Sequence, residues 1–219
     1  TVSGGTLEVL GTVNGAAAIL NGGLLSGTGT ITPDVTVNGG NIRGGTTAIG
    51  TLSLSGNLEF AGGSTQVEIN TSVSPSNSVV SVTGSITNST ASWMEVTNVG
   101  PALVVGQKFY PFGGDTVANG TAISVNGGLG AGLGWQNNLE IDGSIEVVTA
   151  APPALTWSVV GTNPEVIEFT FPGAYKLVYQ TNELSVGLST NWMDWPDTSN
   201  PVNVTNDSTI PTTFFNLGQ

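Results

Sequence analysis

Apolar and polar residues alternate through the first third of the chain, and the alternation repeatedly stops at a glycine pair and begins again. The copies read Val2-Ser3-Gly4-Gly5-Thr6-Leu7-Glu8-Val9, Ile19-Leu20-Asn21-Gly22-Gly23-Leu24-Leu25 and Val35-Thr36-Val37-Asn38-Gly39-Gly40-Asn41-Ile42. Leu52-Ser53-Leu54-Ser55-Gly56-Asn57-Leu58-Glu59-Phe60 reads as a degenerate fourth copy. The pairs begin at Gly4, Gly22 and Gly39, so the step between them is nearly constant. Alternation of period two predicts strands, and the Gly and Asn between them predict turns. A unit this short cannot bury its own apolar face. It must stack on copies of itself, which predicts a solenoid of about four rounds over residues 1–70.

Residues 71–149 keep the strand-and-turn character with longer excursions. Val82-Thr83-Gly84-Ser85-Ile86 and the run from Ala122 to Leu129 read as further rounds. Helix patterning is nearly lacking: Ala16-Ala17-Ala18 is hemmed in by Asn14-Gly15 and Asn21-Gly22. Ala150-Ala151-Pro152-Pro153-Ala154 marks a boundary, because two prolines hold the chain extended and donate nothing to a sheet. Beyond it glycine thins and aromatic residues gather. Six strand candidates follow, at 155–160, 166–171, 175–180, 192–194, 202–204 and 213–217. They predict a small antiparallel β-sandwich of the immunoglobulin or fibronectin type III kind. The expected organisation is an all-β chain: a solenoid over 1–149, a linker over 150–154 and a sandwich over 155–219.

Composition narrows the partners. Glycine supplies 32 of the 219 residues, about double the usual ~7%, which suits a backbone that turns tightly and often. Charged residues make up 8% of the chain against a typical ~25%, and the net charge is −12. The cations are Arg43, Lys108 and Lys176. Phosphate backbones and anionic membranes both select for Lys and Arg, so neither nucleic-acid binding nor membrane attachment is expected. No apolar run reaches the ~18 residues of a membrane-spanning helix. No basic, apolar leader precedes the repeat, so a processed chain is expected.

Leu25-Ser26-Gly27-Thr28-Gly29-Thr30-Ile31, Val35-Thr36-Val37-Asn38-Gly39-Gly40 and the stretch from Ile49 to Leu58 together resemble the autotransporter-associated β-strand repeat. The resemblance covers roughly residues 1–130 and is best over 20–70. It implies a right-handed parallel β-helix of the kind found in passenger regions of large bacterial surface proteins. A secreted, cell-surface location follows from it. Tyr175-Lys176-Leu177-Val178-Tyr179-Gln180-Thr181-Asn182, Thr190-Asn191-Trp192 and Thr213-Phe214-Phe215-Asn216-Leu217 are similar to a small β-sandwich module that ends many bacterial extracellular repeat proteins. Neither resemblance brings catalytic residues or a cofactor.

The chain has no Cys and no His, so thiolate metal sites and the usual Ser or Cys nucleophiles with an imidazole base are excluded. A β-helix polysaccharide hydrolase would need paired carboxylates, and Asp34, Asp115 and Asp142 are far apart in sequence. A lyase would need more basic residues than three. Calcium is the metal that oxygen-rich turns suit best, but no Asp-x-Asp-x-Asp-Gly loop occurs, and solvated carboxylates are the expectation. The glycine run from Gly127 to Gly134 can be read as a nucleotide-binding loop only if a helix follows it, and none is predicted. Trp192 and Trp195 are three residues apart, a spacing that sends them to opposite faces of a strand. Core packing is expected, with one ring available to stack a sugar. Asn70, Asn88, Asn119, Asn203 and Asn206 each open an Asn-x-Ser/Thr triplet and are candidate glycan acceptors.

A solenoid has two raw ends, which arrays usually cap. The sandwich is expected to cover one. Thr1-Val2-Ser3 runs directly into the repeat, so the other is expected to be bare. An uncovered round would expose roughly 300 Å² of apolar surface, about 7 kcal/mol at ~25 cal/mol/Å². Either the chain is cut from a longer solenoid or this end docks onto another subunit, with Val2, Leu7 and Val9 as the candidate contact residues. The expected role is a non-enzymatic subunit that joins copies of itself head to tail in a bacterial fibre or surface layer. The alternatives are an adhesin or glycan-binding module of a larger surface protein and, more remotely, a polysaccharide-active enzyme.

Overall fold

A strand whose parallel neighbour lies in the same sheet cannot reach it through a two-residue hairpin; the chain must travel away and return. In this protein the return trip runs through two other sheets. The computed structural model describes all residues except 16–17, 151–153, 163–164, 172–174, 182–187, 189, 206–212 and 219. The chain is all-β and divides into two compact units, Thr1–Ala150 and Ala151–Gln219.

In the first unit the chain visits three parallel sheets in rotation. The first round is β1 (Thr6–Val9), β2 (Thr12–Val13) and β3 (Ala18–Leu20). The second is β4 (Leu24–Gly27), β5 (Thr30–Ile31) and β6 (Val35–Val37). The third is β7 (Asn41–Gly44), β8 (Thr51–Leu54) and β9 (Leu58–Phe60), and the fourth is β10 (Ser64–Ile69), β11 (Val79–Val82) and β12 (Ile86–Asn88). In the fifth, β13 (Ser92–Asn98) keeps its place, β14 (Lys108–Phe109) leaves the rotation, and β15 (Val117–Ala118) returns to it. β16 (Ile123–Asn126) adds a last strand to the first sheet. The sheets run β1-β4-β7-β10-β13-β16, β2-β5-β8-β11 and β3-β6-β9-β12-β15.

Register aligns like residues into columns that face inward. Leu7, Leu25, Ile42, Thr65, Met94 and Val125 form one such column. Val13, Ile31, Leu54 and Val82 form a second. Val35, Leu58, Ile86 and Val117 form a third, and Leu20, Val37, Phe60 and Asn88 a fourth. Their buried apolar members belong to one continuous core. The step along the first column is short from Leu7 to Leu25 and on to Ile42, and much longer from Thr65 to Met94 and on to Val125. The added residues leave the sheets as loops, and two of them send apolar side chains back: Leu103 and Phe112 are buried, with Phe112 5.9 Å from Phe60 between ring centroids.

Two expectations change here. The stretch 52–60 is not a fourth copy but the second and third strands of the third round, and the glycine pair that opens the fourth round is Gly62-Gly63, directly before β10. The end of the first unit is not a further parallel round either. Two strands, β17 (Leu133–Asn138) and β18 (Ser144–Thr149), form an antiparallel hairpin that β14 extends. Ile145, Val147, Leu139 and Phe109 from this sheet and its turn are buried in the same core. Trp135 packs edge-on to Phe109, and its Nε1 donates to the Gly127 carbonyl at 2.8 Å, tying down the glycine run. The last strands of the first unit therefore join its core through an antiparallel sheet.

The second unit contains two three-stranded antiparallel sheets. One joins β19 (Thr156–Thr162), β20 (Glu165–Thr170) and β23 (Val202–Thr205); the other joins β22 (Met193–Asp194), β21 (Lys176–Gln180) and β24 (Phe214–Gly218). Phe169, Val202 and Val204 of the first sheet share a core with Leu177 of the second, to which Phe215 and Leu217 add. Residues 151–153 of the expected linker lie outside the described residues.

Gly27 lies where adjacent rounds approach closely. Its φ is +142°, and a Cβ built on it would run into the Val9 backbone. Gly11 has open space around its missing Cβ. Gly27→Ala is expected to lower the unfolding free energy by about 2–4 kcal/mol, while Gly11→Ala stays within about 0.5 kcal/mol, as read from urea denaturation curves.

Candidate functional site

The chemically distinctive region of the first unit is its first round. Among the described residues β1, β2 and β3 each have a strand partner on one side only. Leu7 and Val13 lie in register with inward columns yet are 41% and 37% exposed, whereas their partners Leu25 and Ile31, one round deeper, are 1% exposed. Leu7 and Leu25, like Val13 and Ile31, are similar apolar residues, so the difference in exposure follows from β1 and β2 having no second strand partner among the described residues. Leu10 adds a further apolar side chain at 68% exposure. Of the three candidate contact residues, Leu7 is open, Val9 is buried, and Val2 is half-buried because it bridges to Leu20. Asn21 N–H donates to the Val2 carbonyl at 2.8 Å. Glu8 is the single charge of these three strands. This round offers unpaired backbone groups and apolar side chains, the makings of a stacking surface rather than of a reaction centre.

The opposite end is locked by charge. Lys108 Nζ is 2.8 Å from Asp142 and 3.6 Å from Glu146, so it joins β14 to the turn and second strand of the hairpin. The Asp142 carboxyl is held down from its ordinary 3.8 to about 2, chiefly by the hydrogen bond from Lys108 and then by the Ser144 hydroxyl. The same hydrogen bond raises Lys108 above its usual range.

The structure separates the remaining candidates. Trp192 and Trp195 flank the two-residue β22 rather than share a strand, so alternation does not place them. Trp195 packs on Tyr179 at 5.1 Å and Phe215 at 5.6 Å, at the core of the second unit, and is committed to packing. Trp192 is half-buried. Asn88 faces inward at 2% exposure, and its Nδ2 donates to the Asn119 carbonyl at 3.1 Å, so this fold removes it from the glycan acceptors. Asn119 donates its own amide back to the Asn88 carbonyl, and Asn70 Oδ1 accepts from Ser72 N–H. Asn203 is exposed on β23; Asn206 lies outside the described residues. Asp34 accepts a 2.7 Å hydrogen bond from Asn57 N–H in a turn, Asp115 lies along a groove with Glu140, and Asp142 is in the Lys108 network. These three carboxylates are not brought together, and among the described residues no three metal-ligating side chains cluster.

The outer face of the first sheet carries a further set of polar and aromatic side chains that no motif in the sequence marks. Trp93, Glu95 and Thr97 point out of β13 while Ser92, Met94 and Val96 are buried. Arg43 Nη1 lies 3.2 Å from Glu68 on the same face. Strict alternation over 92–97 was the available signal. What it lacked was the partner strand, β10 of the preceding round, that puts Gln66 beside Glu95.

Two outcomes are expected. A carboxyl depressed in the fold contributes stability that is present above its unfolded value and lost as pH falls through its folded one. The stability difference between wild type and Asp142→Asn is therefore present at neutral pH and closes between pH 3.8 and about 2, measured by thermal unfolding against pH. Trp195→Ala is expected to destabilise the second unit by about 3 kcal/mol, with Trp192→Ala costing less, as followed by near-UV circular dichroism. Compared with protein-family models, curated proteins and solved structures, the chain gives no match.

Proposed function

We propose that residues 1–150 wind as a right-handed parallel β-helix, and that the chain is a non-enzymatic structural protein of a bacterial cell surface whose copies join end to end at the first round. The single observation that carries this reading is the contrast between the ends. One is closed by an antiparallel sheet and a buried core, and the other presents Leu7 and Val13 from otherwise buried columns. The occupant is a second copy. Strand addition supplies the bonding, because backbone hydrogen bonds need no charged partner. Glu8 alone would lose hydration on stacking, so little charge desolvation opposes it. The open and closed ends differ, which makes the contact heterologous and the product a row rather than a closed pair. The likeness of 25–58 to the autotransporter-associated repeat supports the surface location, and the two-sheet second unit suits a small sandwich module beside it.

Sedimentation velocity and negative-stain imaging test this. The wild type is expected to form species larger than 22.1 kDa that grow with concentration and image as linear rows. Leu7→Lys with Val13→Lys should remain monomeric with an unchanged circular dichroism spectrum. A single 22.1 kDa species at every concentration, or rows that persist in the double variant, would overturn the reading.

A further inference from the structure

We propose that the outer face of the first sheet binds a neutral saccharide, with Trp93 as the stacking plate and Gln66, Glu95 and Thr97 as the hydrogen-bonding edge. This goes beyond the assembly reading and does not rest on it, since the face is formed within one chain.

In β13 the inward side chains are fully committed to the core, so Trp93, Glu95 and Thr97 form a straight outward row, each about 7 Å from the next. Trp93 is 39% exposed. Its partners on the two neighbouring strands are Ser64 and Ser124, too small to cover an indole. A broad, flat apolar ring is thus left open on a flat sheet, beside polar groups rather than beside other apolar ones.

Next to Trp93, which lies outside its lining, Arg43, Gln66, Val67, Glu68, Glu95 and Thr97 enclose a groove of about 230 Å³. This is smaller than the ~300–1,000 Å³ of an enclosing small-molecule site, and it suits a ring lying on the surface. Register places Gln66 opposite Glu95 and Glu68 opposite Thr97. An amide on β10 and a carboxylate and a hydroxyl on β13 supply donors and acceptors for sugar hydroxyls, while the indole takes the C–H face of a sugar ring.

Charge selects among saccharides. Arg43 is engaged by Glu68, and its Nε is enclosed without a hydrogen-bond partner, so the guanidinium is part of the groove floor. With Glu95 the groove carries a net negative charge. The other two cationic side chains, Lys108 and Lys176, are paired with Asp142 and Asp194. No free cationic side chain is left to attract an acidic glycan, and Glu95 repels one.

Affinity electrophoresis of the full chain tests the proposal, in gels containing a soluble mixed-linkage β-glucan, a galactomannan or polygalacturonate. Retardation is expected in at least one of the two neutral polymers, with no dependence on salt, because no ion pair is formed. Trp93→Ala should weaken the apparent association about tenfold, and Trp93→Phe should retain most of it. Gln66→Ala provides a second variant whose loss of binding does not depend on how the sheet tolerates a missing indole. The proposal is overturned by no retardation in either neutral polymer, by retardation undiminished in both Trp93→Ala and Gln66→Ala, or by retardation in polygalacturonate alone. Failure of the assembly reading would appear in sedimentation and leave these gels unaffected.

Discussion

The parallel backbone ladder between one round and the next governs the first unit. Leu24 N–H donates to the Gly5 carbonyl, Asn41 N–H to Gly23 and Ser64 N–H to Gly40, at 2.8–2.9 Å. Each bond joins residues far apart in sequence, so a round is held by its neighbours rather than by itself. The same ladder brings backbones close enough at the corners that a methyl group would collide there: a Cβ on Gly40 would meet Gly23, and one on Gly63 would meet Gly40. Glycine recurs at these corners because main chain packs directly on main chain.

Once register is set by the ladder, the length of each round is free to vary. The stretch of chain from Met94 to Val125 is far longer than that from Leu25 to Ile42, yet all four residues stay in one column. The excess chain is used rather than merely tolerated. The loop that carries Phe112 fills the interior against Phe60, and the excursion that produces β14 supplies the third strand of the closing sheet. Lengthening of the rounds and closure of that end are therefore the same structural event. A strand withdrawn from the second parallel sheet becomes the edge of an antiparallel one.

Electrostatics follows from scarcity. Fifteen acidic residues face three cations, and each cation is held by a carboxylate. The exposed surface consequently offers amides, hydroxyls and unpaired carboxylates. Such a surface can recognise a partner through shape, hydrogen bonds and aromatic stacking rather than through charge.

Much of the fold was legible in the chain itself. Alternation at Leu52-Ser53-Leu54 or Val79-Val80-Ser81-Val82 states which side chains turn inward, because side-chain parity along a strand is a local property. Glycine pairs marked the corners for the same reason, although Gly62-Gly63, which opens the fourth round, breaks the even step of the first three. The scarcity of cations was equally plain from composition. Tertiary structure alone decided which residues meet: that Gln66 stands beside Glu95, that Asn88 is enclosed by Asn119, that Trp195 belongs to a core, and that β17 and β18 close one end while Leu7 stays open at the other. Parity is written in neighbouring residues, whereas contact depends on a register between strands a whole round apart, and only the folded ladder sets that register.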